Sequence, residues 1–334
     1  MTKQKNVGLA FTMAEILLSL TIIGVVAAIT LPSLTGNINE RTWNTQRKAL
    51  YARFSQALAL MPNLNGYGTL EEGDPNNVAE TFVTSGLSKV MKINNICAHD
   101  ALEDCGIPSK IIPQNGGTAL ELASITTLVG LNEMFNGTYV SSYGEGADDD
   151  VTYTYDDQLD TNAAAFETNN GESILVYYNP QCKHDKGVVR EGVWHYTQPY
   201  MCANFVYDLN GNKGPNTVGK DIGFVTAMYP TDPIIVAPVP LATNAKYNGS
   251  TTIAQTDAGA ACKAQDEESR LPNRDELTSM FYNRQLLGIT SACFWSGSVI
   301  SSGEDGMAWG QNFNVGSRYS GLRSASTNVR CVKR

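Results

Sequence analysis

The chain begins with ten residues that include two lysines and no acid, followed by a long, nearly uncharged apolar stretch. Residues 11–34 contain a single charged side chain, Glu15. As a helix rising 1.5 Å per residue, this stretch would span roughly 36 Å, enough to cross a bilayer core of about 30 Å. The pattern therefore predicts a transmembrane helix over residues 11–34.

An amphipathic pattern continues the apolar stretch towards residue 60. Its apolar positions recur with the period of one helical face: Trp43, Leu50, Phe54 and Leu58. Pro62 and the polar run at 63–66 end the pattern. We predict one long helix from residue 11 to about 60. Two separate helices, broken near residues 36–37, are the alternative.

The region after residue 62 alternates between short apolar segments and polar turns. A helix is predicted at 79–92, an alternating strand at 151–155 and a buried strand at 173–178. Several prolines then punctuate residues 229–249, which predicts a linker or an extended edge segment.

Composition and charge narrow the function of such a chain. Hydrophobic residues make up 42% of it, so the globular region can bury a core, and the net charge is −9. Nucleic-acid binding depends largely on basic side chains that face phosphates, so an acidic chain is not expected to bind nucleic acid. No pairing of a nucleophile with a base stands out, and we predict no catalytic site and no enzyme activity.

All seven cysteines follow the apolar stretch, as expected when only that part of the chain reaches an oxidising compartment. No CxxC pair is present, so the sequence lacks a zinc site of the usual spacing. The disulfides favoured by position are Cys97–Cys105, Cys182–Cys202 and Cys262–Cys331, which leaves Cys293 unpaired. Buried free thiols in a cytosolic protein are the alternative.

Glu15 discriminates between three interpretations of the N-terminus. A plain membrane anchor explains the apolar length, but a carboxylate inside an apolar helix is costly and is usually functional. A secretory signal peptide explains the basic Lys3 and Lys5 and has a small-residue cleavage site at residues 26–28. It leaves Glu15 in the middle of its apolar region, however. The two lysines place residue 1 in the cytoplasm and the rest of the chain outside.

The third interpretation rests on a resemblance. A short basic leader, then Phe11, then Glu15 in an apolar helix resembles the cleavage and methylation motif of type IV prepilins and type II secretion pseudopilins. The resemblance implies cleavage between Ala10 and Phe11, with Ala10 where the family usually has glycine, and methylation of the new amine of Phe11. Glu15 is then the fifth mature residue, and Pro32, the 22nd, matches a helix-bending proline common in pilins.

The same resemblance implies how such a chain assembles. In a growing filament, Glu15 of one subunit neutralises the Phe11 amine of its neighbour, which relieves two desolvated charges and fixes the axial register. The implied partners are a prepilin peptidase, other pilin or pseudopilin subunits, the assembly platform and the inner membrane. The precursor is expected in the inner membrane with its leader in the cytoplasm, and the mature chain in an extracellular or periplasmic filament.

A polar loop after a strand-like segment is a candidate calcium site. Its oxygen-bearing side chains are Asp208, Asn210, Asn212 and Asp221. Glycine stands at the fourth position rather than the sixth, so the EF-hand pattern is not met. The loop resembles one in pseudopilin-like proteins, where an Asp-x-Asn-Gly run follows a strand. A loop held by Asx turns is the alternative, and no other cofactor is predicted.

Residues 250–334 contain three ordered motifs. They are Arg270-Leu271-Pro272 followed by Glu276-Leu277, then Trp295-Ser296, and finally Val329-Arg330-Cys331-Val332. Asn273 and Glu276 also predict a capped helix start. This order resembles a bacterial domain family named for the C-terminal domain of the collagen-like adhesin Lcl. That family is associated with a C-type-lectin-like fold and with surface proteins that bind glycans or other ligands.

The second resemblance implies a binding head rather than catalysis. Basic residues dominate the end of this acidic chain, and we predict ligand contacts from Trp309, Arg318, Tyr319 and Arg323. The expected ligand is an anionic polysaccharide or another surface ligand. In the alternative, the aromatic residues belong to the core and the arginines only solvate the surface.

These patterns together predict an α+β fold in five parts. They are a leader at 1–10, a long N-terminal transmembrane and amphipathic helix at 11–62, a mixed α/β pilin-like head at 63–228, a linker at 229–249 and a small C-type-lectin-like α+β module at 250–334. The predicted function is that of a pilin-like or pseudopilin subunit, and the chain length favours a minor one. A membrane-anchored or secreted glycan-binding adhesin that is not incorporated in a filament is the alternative.

Overall fold

The chain divides into two compact units, Met1–Lys48 and Ala49–Arg334. The computed structural model describes residues 13, 17, 20–22, 25, 41–60, 78–114, 116–131, 139–142, 150–153, 161–179, 188–190, 193–195, 201–228, 235–238, 252–264, 267–289, 292–302, 306–313 and 318–333. The described residues of the first unit are all helical. The second unit contains every described strand.

The helices are short apart from the first. They are α1 at 41–60, α2 at Val78–Thr81, α3 at Ser88–Val90, α4 at Leu128–Leu131, α5 at Gln255–Lys263, α6 at Arg274–Tyr282 and α7 at Arg284–Leu287. A π-helix at Phe82–Leu87 joins α2 to α3 without a break, and 3₁₀ helices occupy Leu102–Cys105 and Leu122–Ser124.

The described strands, in chain order, are β1 Ile93–Cys97, β2 Tyr139–Ser142, β3 Asp150–Tyr153, β4 Ala164–Thr168, β5 Ser173–Tyr178, β6 Val188–Arg190, β7 Val193–His195, β8 Met201–Asp208, β9 Ile222–Met228, β10 Ile235–Pro238, β11 Thr252–Ala254, β12 Ser269–Arg270, β13 Cys293–Val299, β14 Met307–Asn312, β15 Arg318–Leu322, β16 Ser326–Asn328 and β17 Val332–Lys333. Two larger sheets and three two-stranded pairs result.

The larger sheet has six antiparallel strands in the order β1-β4-β5-β8-β9-β10. All six residues of β5 are buried, because both faces of the sheet are covered. Tyr207 lies directly opposite Gly223, and a Cβ on Gly223 would come within 2.3 Å of the tyrosine hydroxyl. Glycine at this position therefore lets the tyrosine ring lie flat across the neighbouring strand.

One face of this sheet, here called the aromatic face, is covered by helices. Phe54 of α1 packs on Phe205 of β8 with ring centroids 4.6 Å apart, and Phe82 stacks on Tyr178 of β5 at 4.3 Å. Leu50, Phe54 and Phe82 are all fully buried. The helical period of α1 thus delivers one apolar stripe to one sheet face.

A buried ion pair fixes α1 at the margin of the aromatic face. Both terminal nitrogens of Arg53 donate to the carboxylate of Glu172, which lies in the β4–β5 turn. The Thr168 hydroxyl donates to the same carboxylate. The Glu172 side chain is only 6% exposed, so these partners replace most of the water around its carboxylate.

The opposite face of the six-stranded sheet, here called the polar-seam face, is covered by α6 and its neighbours. Leu175, Val206 and Phe224 share one hydrophobic cluster there with Met280 and Phe281 of α6. The same cluster includes Phe294 of the second sheet and Phe313, which directly follows β14. The region after residue 250 therefore shares a core with the six-stranded sheet.

The second sheet has five strands in the order β11-β16-β13-β14-β15 and lies between two helices. Ala258 and Cys262 of α5 pack on one face with Trp295. Thr278 of α6 covers the other face, where its hydroxyl donates to Gln311 at 2.9 Å. Because successive side chains of β14 point to opposite faces of the sheet, α5 packs on one face and α6 on the other.

Several local predictions are confirmed. The predicted strand at 173–178 is β5, and the predicted helix at 79–92 corresponds to the helical segment 78–90. Residues 235–238 of the proline-rich run pair with β9 as an edge strand, which was the second of the two expectations for that run. The remainder of 229–249 lies outside the described residues.

The predicted fold class is wrong in its first element, the long N-terminal transmembrane helix. Within the described part of the chain, no helix is both long enough and apolar enough to cross a membrane. The longest uninterrupted one is α1, and it carries Arg41, Arg47, Lys48 and Arg53. Of residues 11–34, only 13, 17, 20–22 and 25 are described, as exposed helical positions. The described fold consists of α1 and several short helices around two sheets.

Candidate functional site

The first C-terminal motif builds the start of α6. Arg270 donates to both carboxylate oxygens of Glu276, at 2.7 and 2.6 Å, and this hydrogen bonding raises the pKa of Arg270. Glu276 also accepts from the backbone N–H of Asn273, whose side chain accepts from the backbone of Glu276 in return. This reciprocal capping box is the one that the sequence predicts, and it is confirmed.

The terminal motif packs into two hydrophobic clusters, one around Trp295 and one shared with the six-stranded sheet. Cys331 forms a disulfide with Cys262 of α5, and Val329 lies in the same cluster around Trp295. Val332 instead belongs to the cluster shared with the six-stranded sheet. Trp295 itself is 1% exposed and donates its indole N–H to the Ala325 carbonyl at 3.2 Å. These motif residues therefore hold the module together.

The four predicted ligand contacts do not lie on one surface. Trp309 pairs with Ser320 and Gln311 pairs with Arg318, which places Trp309 and Arg318 on the α6 side of the sheet. Tyr319 pairs with Gly310 and packs towards Trp295 on the α5 side. Because neighbouring positions on a strand face opposite ways, a single ligand cannot lie against both Trp309 and Tyr319 across the sheet.

Arg318 is engaged inside the protein. Its side chain is 11% exposed and donates to the Asp275 carboxylate at 2.8 Å and to the Thr278 hydroxyl at 2.8 and 3.0 Å. Burial lowers the pKa of Arg318 to about 10, while the Asp275 charge acts in the opposite direction. Arg318 therefore joins β15 to α6, which agrees better with the structural alternative than with a ligand contact.

Arg323 and Tyr319 lie on the α5 side. The Arg323 guanidinium donates to Gln255 at 2.7 Å, and Tyr319 lies across Gly310, where a Cβ would come within 2.4 Å of the ring. Glycine is required at this close approach, as at Gly223 in the larger sheet. Both predicted contacts thus have packing roles.

Trp309 is the predicted contact with the clearest surface chemistry. Its ring is partly exposed, and the guanidinium of Arg274 lies 5.4 Å from the ring centroid. Arg274 is 43% exposed and approaches Asp275 at 3.7 Å. A cation above an aromatic ring forms a favourable pair, so Arg274 orients the tryptophan at the start of α6.

The candidate calcium loop is held by Asx turns. Asp208 accepts from the backbone N–H groups of Asn210 and Asn212, both at 3.0 Å. Asp221 accepts from those of Asn216 and Thr217 at 2.8 and 2.9 Å. All four carboxylate oxygens are thus used by backbone amides, which is the alternative that the sequence left open.

Burial and a neighbouring carboxylate both act on Asp208 in this loop. Burial, together with the nearby Asp221 charge, raises the pKa of Asp208 to about 6, although backbone hydrogen bonds oppose the rise. The Asn210 side-chain oxygen is buried without a hydrogen-bond partner. No group of three or more His, Cys, Asp or Glu side chains in the described ranges is placed to hold a metal.

Disulfides, predicted from the distribution of cysteines, are present. Cys97 pairs with Cys105 and Cys262 with Cys331, while Cys293 is free. Cys202 is also disulfide-bonded, and its predicted partner, Cys182, lies outside the described residues. The predicted cleavage and assembly residues, Ala10, Phe11, Glu15 and Pro32, lie outside the described residues as well.

Sequence reasoning missed a buried polar cluster between the six-stranded sheet and α6. Asn204 and Asn283 exchange hydrogen bonds at 2.8 and 2.9 Å, and Thr226 lies 2.7 Å from Ser279. All four residues are fully buried. One local signal was available, because Asn204 interrupts a strand between Ala203 and Phe205.

Comparison with models of known protein families finds no match, and comparison with characterised proteins finds none either.

Proposed function

We propose that this chain is a pilin-like subunit of a cell-surface filament or pseudopilus. Its precursor is cleaved between Ala10 and Phe11 and methylated on the Phe11 amine. The mature chain is then incorporated through its N-terminal segment, with residues 250–334 displayed for binding. The observation that carries the proposal is Glu15, the single charge within the apolar residues 11–34, four positions after Phe11.

The chemistry of assembly follows from that spacing. An amine and a carboxylate in apolar surroundings are each costly when unpaired, and their pairing between two subunits relieves both costs. Incorporation is therefore favourable only when Glu15 of one subunit meets the Phe11 amine of another. This requirement sets the axial register of the filament.

Packing along α1 supports the proposal. An assembly segment near the start of the chain can carry the globular region only if the chain that follows is firmly attached to it. Leu50 and Phe54 bury themselves on the six-stranded sheet, and Arg53 pairs with the buried Glu172. These contacts transmit a pull on α1 directly to the sheet.

The attachment of the C-terminal module supports its role in display. Asn283, which directly follows α6, and Ser279 of α6 hydrogen-bond to Asn204 and Thr226 of the sheet, beside a shared hydrophobic cluster. Buried hydrogen bonds are directional and costly to break, so they favour one orientation. A ligand held by the module is therefore presented in a fixed direction.

The proposed route places the globular region outside the inner membrane. The Cys97–Cys105 and Cys262–Cys331 disulfides agree with export to an oxidising compartment. The proposed partners are a prepilin peptidase, an assembly platform, other pilin or pseudopilin subunits and, for the displayed module, a glycan or another surface ligand.

Replacing Glu15 tests the proposal in the native host. We expect Glu15→Ala to be cleaved and exported normally but lost from the filament fraction, because the Phe11 amine then has no partner. Glu103→Ala, which removes an exposed acid from the globular region, is the matched control and should be incorporated like the wild type. Normal incorporation of Glu15→Ala would refute the assembly mechanism.

A further inference from the structure

Arg330 is a buried arginine at the seam between the C-terminal module and residues 111–114. It is 6% exposed, although its neighbours Val329 and Cys331 are the ones that pack around Trp295. Its guanidinium reaches instead to the side-chain oxygen of Gln114, whose backbone N–H donates to Leu286 of α7 at 3.1 Å. The guanidinium is thus held in place by a neutral amide.

The charge of Arg330 lacks a counter-charge within the described part of the chain. None of the ion pairs there involves it, and its single hydrogen bond goes to Gln114. Arg318, which is buried to a similar degree, is paired with Asp275. Burial lowers the pKa of Arg330 to about 10, so the group is still charged at neutral pH. A desolvated, unpaired cation is unfavourable unless an anion compensates it.

The free donors of Arg330 remain reachable. A guanidinium has five N–H groups in a planar fork, and one of them is used by Gln114. The other nitrogens, Nε and Nη1, are not among the fully occluded atoms that lack a partner. Both atoms therefore keep some contact with solvent, and at a residue only 6% exposed this suits a small planar group better than a bulky one.

We propose that Arg330 and Gln114 form a recognition point for one carboxylate group brought by a ligand from outside the chain. The planar fork of a guanidinium matches a carboxylate with two parallel hydrogen bonds, and charge-assisted bonds of this kind are among the strongest in proteins. Gln114 fixes the plane of the fork. The proposal goes beyond filament assembly and does not depend on it, since neither residue belongs to the N-terminal segment.

Two variants and a control test the proposal on the full-length protein. Arg330→Met removes the charge and keeps much of the side-chain volume. Gln114→Glu leaves the arginine in place and supplies an internal carboxylate that competes with any ligand. Arg323→Met is the control, because Arg323 also donates to a glutamine, Gln255, in the same module. Gln114→Glu keeps the test valid if Arg330→Met fails to fold.

Saturation-transfer NMR with sodium acetate and sodium glucuronate, in a buffer free of other carboxylates, measures binding. Neutral glucuronamide is the matched ligand. We expect the wild type and Arg323→Met to bind both carboxylates and not the amide, and Arg330→Met and Gln114→Glu to bind at least about tenfold more weakly. Equal affinity for both acids indicates a site that recognises the carboxylate alone. Tighter binding of glucuronate than of acetate indicates a site for a carboxylate carried on a sugar.

Three outcomes would overturn the proposal. They are the absence of binding of either acid by the wild type, equal binding of glucuronamide, and unchanged binding in both Arg330→Met and Gln114→Glu. Filament incorporation of Gln114→Glu should be normal whether or not the carboxylates bind, so failure of this inference is distinguishable from failure of the proposed assembly.

Discussion

Neighbouring residues of β8 meet chemically different partners on the two faces of the six-stranded sheet. Phe205 packs against the rings of Phe54 and Phe82 on the aromatic face, whereas Asn204 exchanges hydrogen bonds with Asn283 on the polar-seam face. Burial of apolar surface is strong but non-directional, while buried hydrogen bonds demand one geometry. We infer that the aromatic face supplies most of the stability of the α1 attachment, and that the hydrogen bonds of the polar-seam face fix the orientation of the C-terminal module.

The largest expected effect is on the aromatic face. Phe54→Ala should lower the free energy of unfolding by about 3–5 kcal/mol, because it removes a fully buried ring and leaves a cavity. Denaturant titration of the purified full-length protein in detergent measures this. Leu60→Ala on the same helix, at a site 50% exposed, is the control and should change stability by less than about 0.5 kcal/mol. A loss as small for Phe54→Ala as for the control would contradict the comparison.

The hydrogen-bonded asparagines of the polar-seam face should respond differently to single and to double substitutions. Asn283→Leu leaves the Asn204 amide buried without its partner and should cost about 2–3 kcal/mol in the same titration. Asn204→Leu should cost a similar amount. The double variant should lose clearly less than the sum, because it leaves neither amide unsatisfied. Additive losses would mean that the two amides act independently.

Removing the ion pair at the margin of the aromatic face should lower the stability less than removing a ring from the middle of that face. Arg53→Met leaves the Glu172 carboxylate with the Thr168 hydroxyl, and it should cost about 1–2 kcal/mol because the Arg53 side chain is 29% exposed. Lys48→Met, an exposed cation on the same helix, is the control and should be close to neutral. Equal effects of the two variants would show that Arg53 contributes only general charge.

The smallest expected effect is a pH dependence at the end of β8, from Asp208. Its pKa is about 6 in the folded protein and 3.8 in an ordinary setting, so the folded state retains a proton that the unfolded chain has lost. This contribution to stability is full below about pH 4 and is lost as the pH rises through about 6. Relative to Asp208→Asn, the wild type should therefore lose about 1 kcal/mol between pH 5 and 6. Parallel pH profiles for the two proteins would contradict the assigned shift.

Local signals account for the parts of the fold that the sequence predicts well. The run at 174–178 is continuously apolar or aromatic, and the pairing of Asn273 with Glu276 lies within one helical turn. The polar seam joins residues 79 positions apart, and no local pattern specifies that pairing. In sequence, the polar residues of these strands look like those of strands exposed to solvent. That they are buried follows only from tertiary packing.

The candidate ligand site shows the same limit. Arg318 and Trp309 were predicted from charge and aromatic composition, which do not reveal which strand face a helix covers. In the structure, α6 lies over Arg318, and β-sheet alternation separates Tyr319 from Trp309. Arg330 has the same side chain as Arg318, yet its burial without an acid is visible only in three dimensions.

The most direct test of the central proposal is mass spectrometry of the N-terminal peptide of the protein isolated from membranes of its native host. The account predicts a mature chain that begins at N-methylated Phe11. A chain that begins at Ile29 would indicate an ordinary secreted protein, and an intact Met1 would indicate an uncleaved anchor. Either of these results would contradict the proposed assembly mechanism.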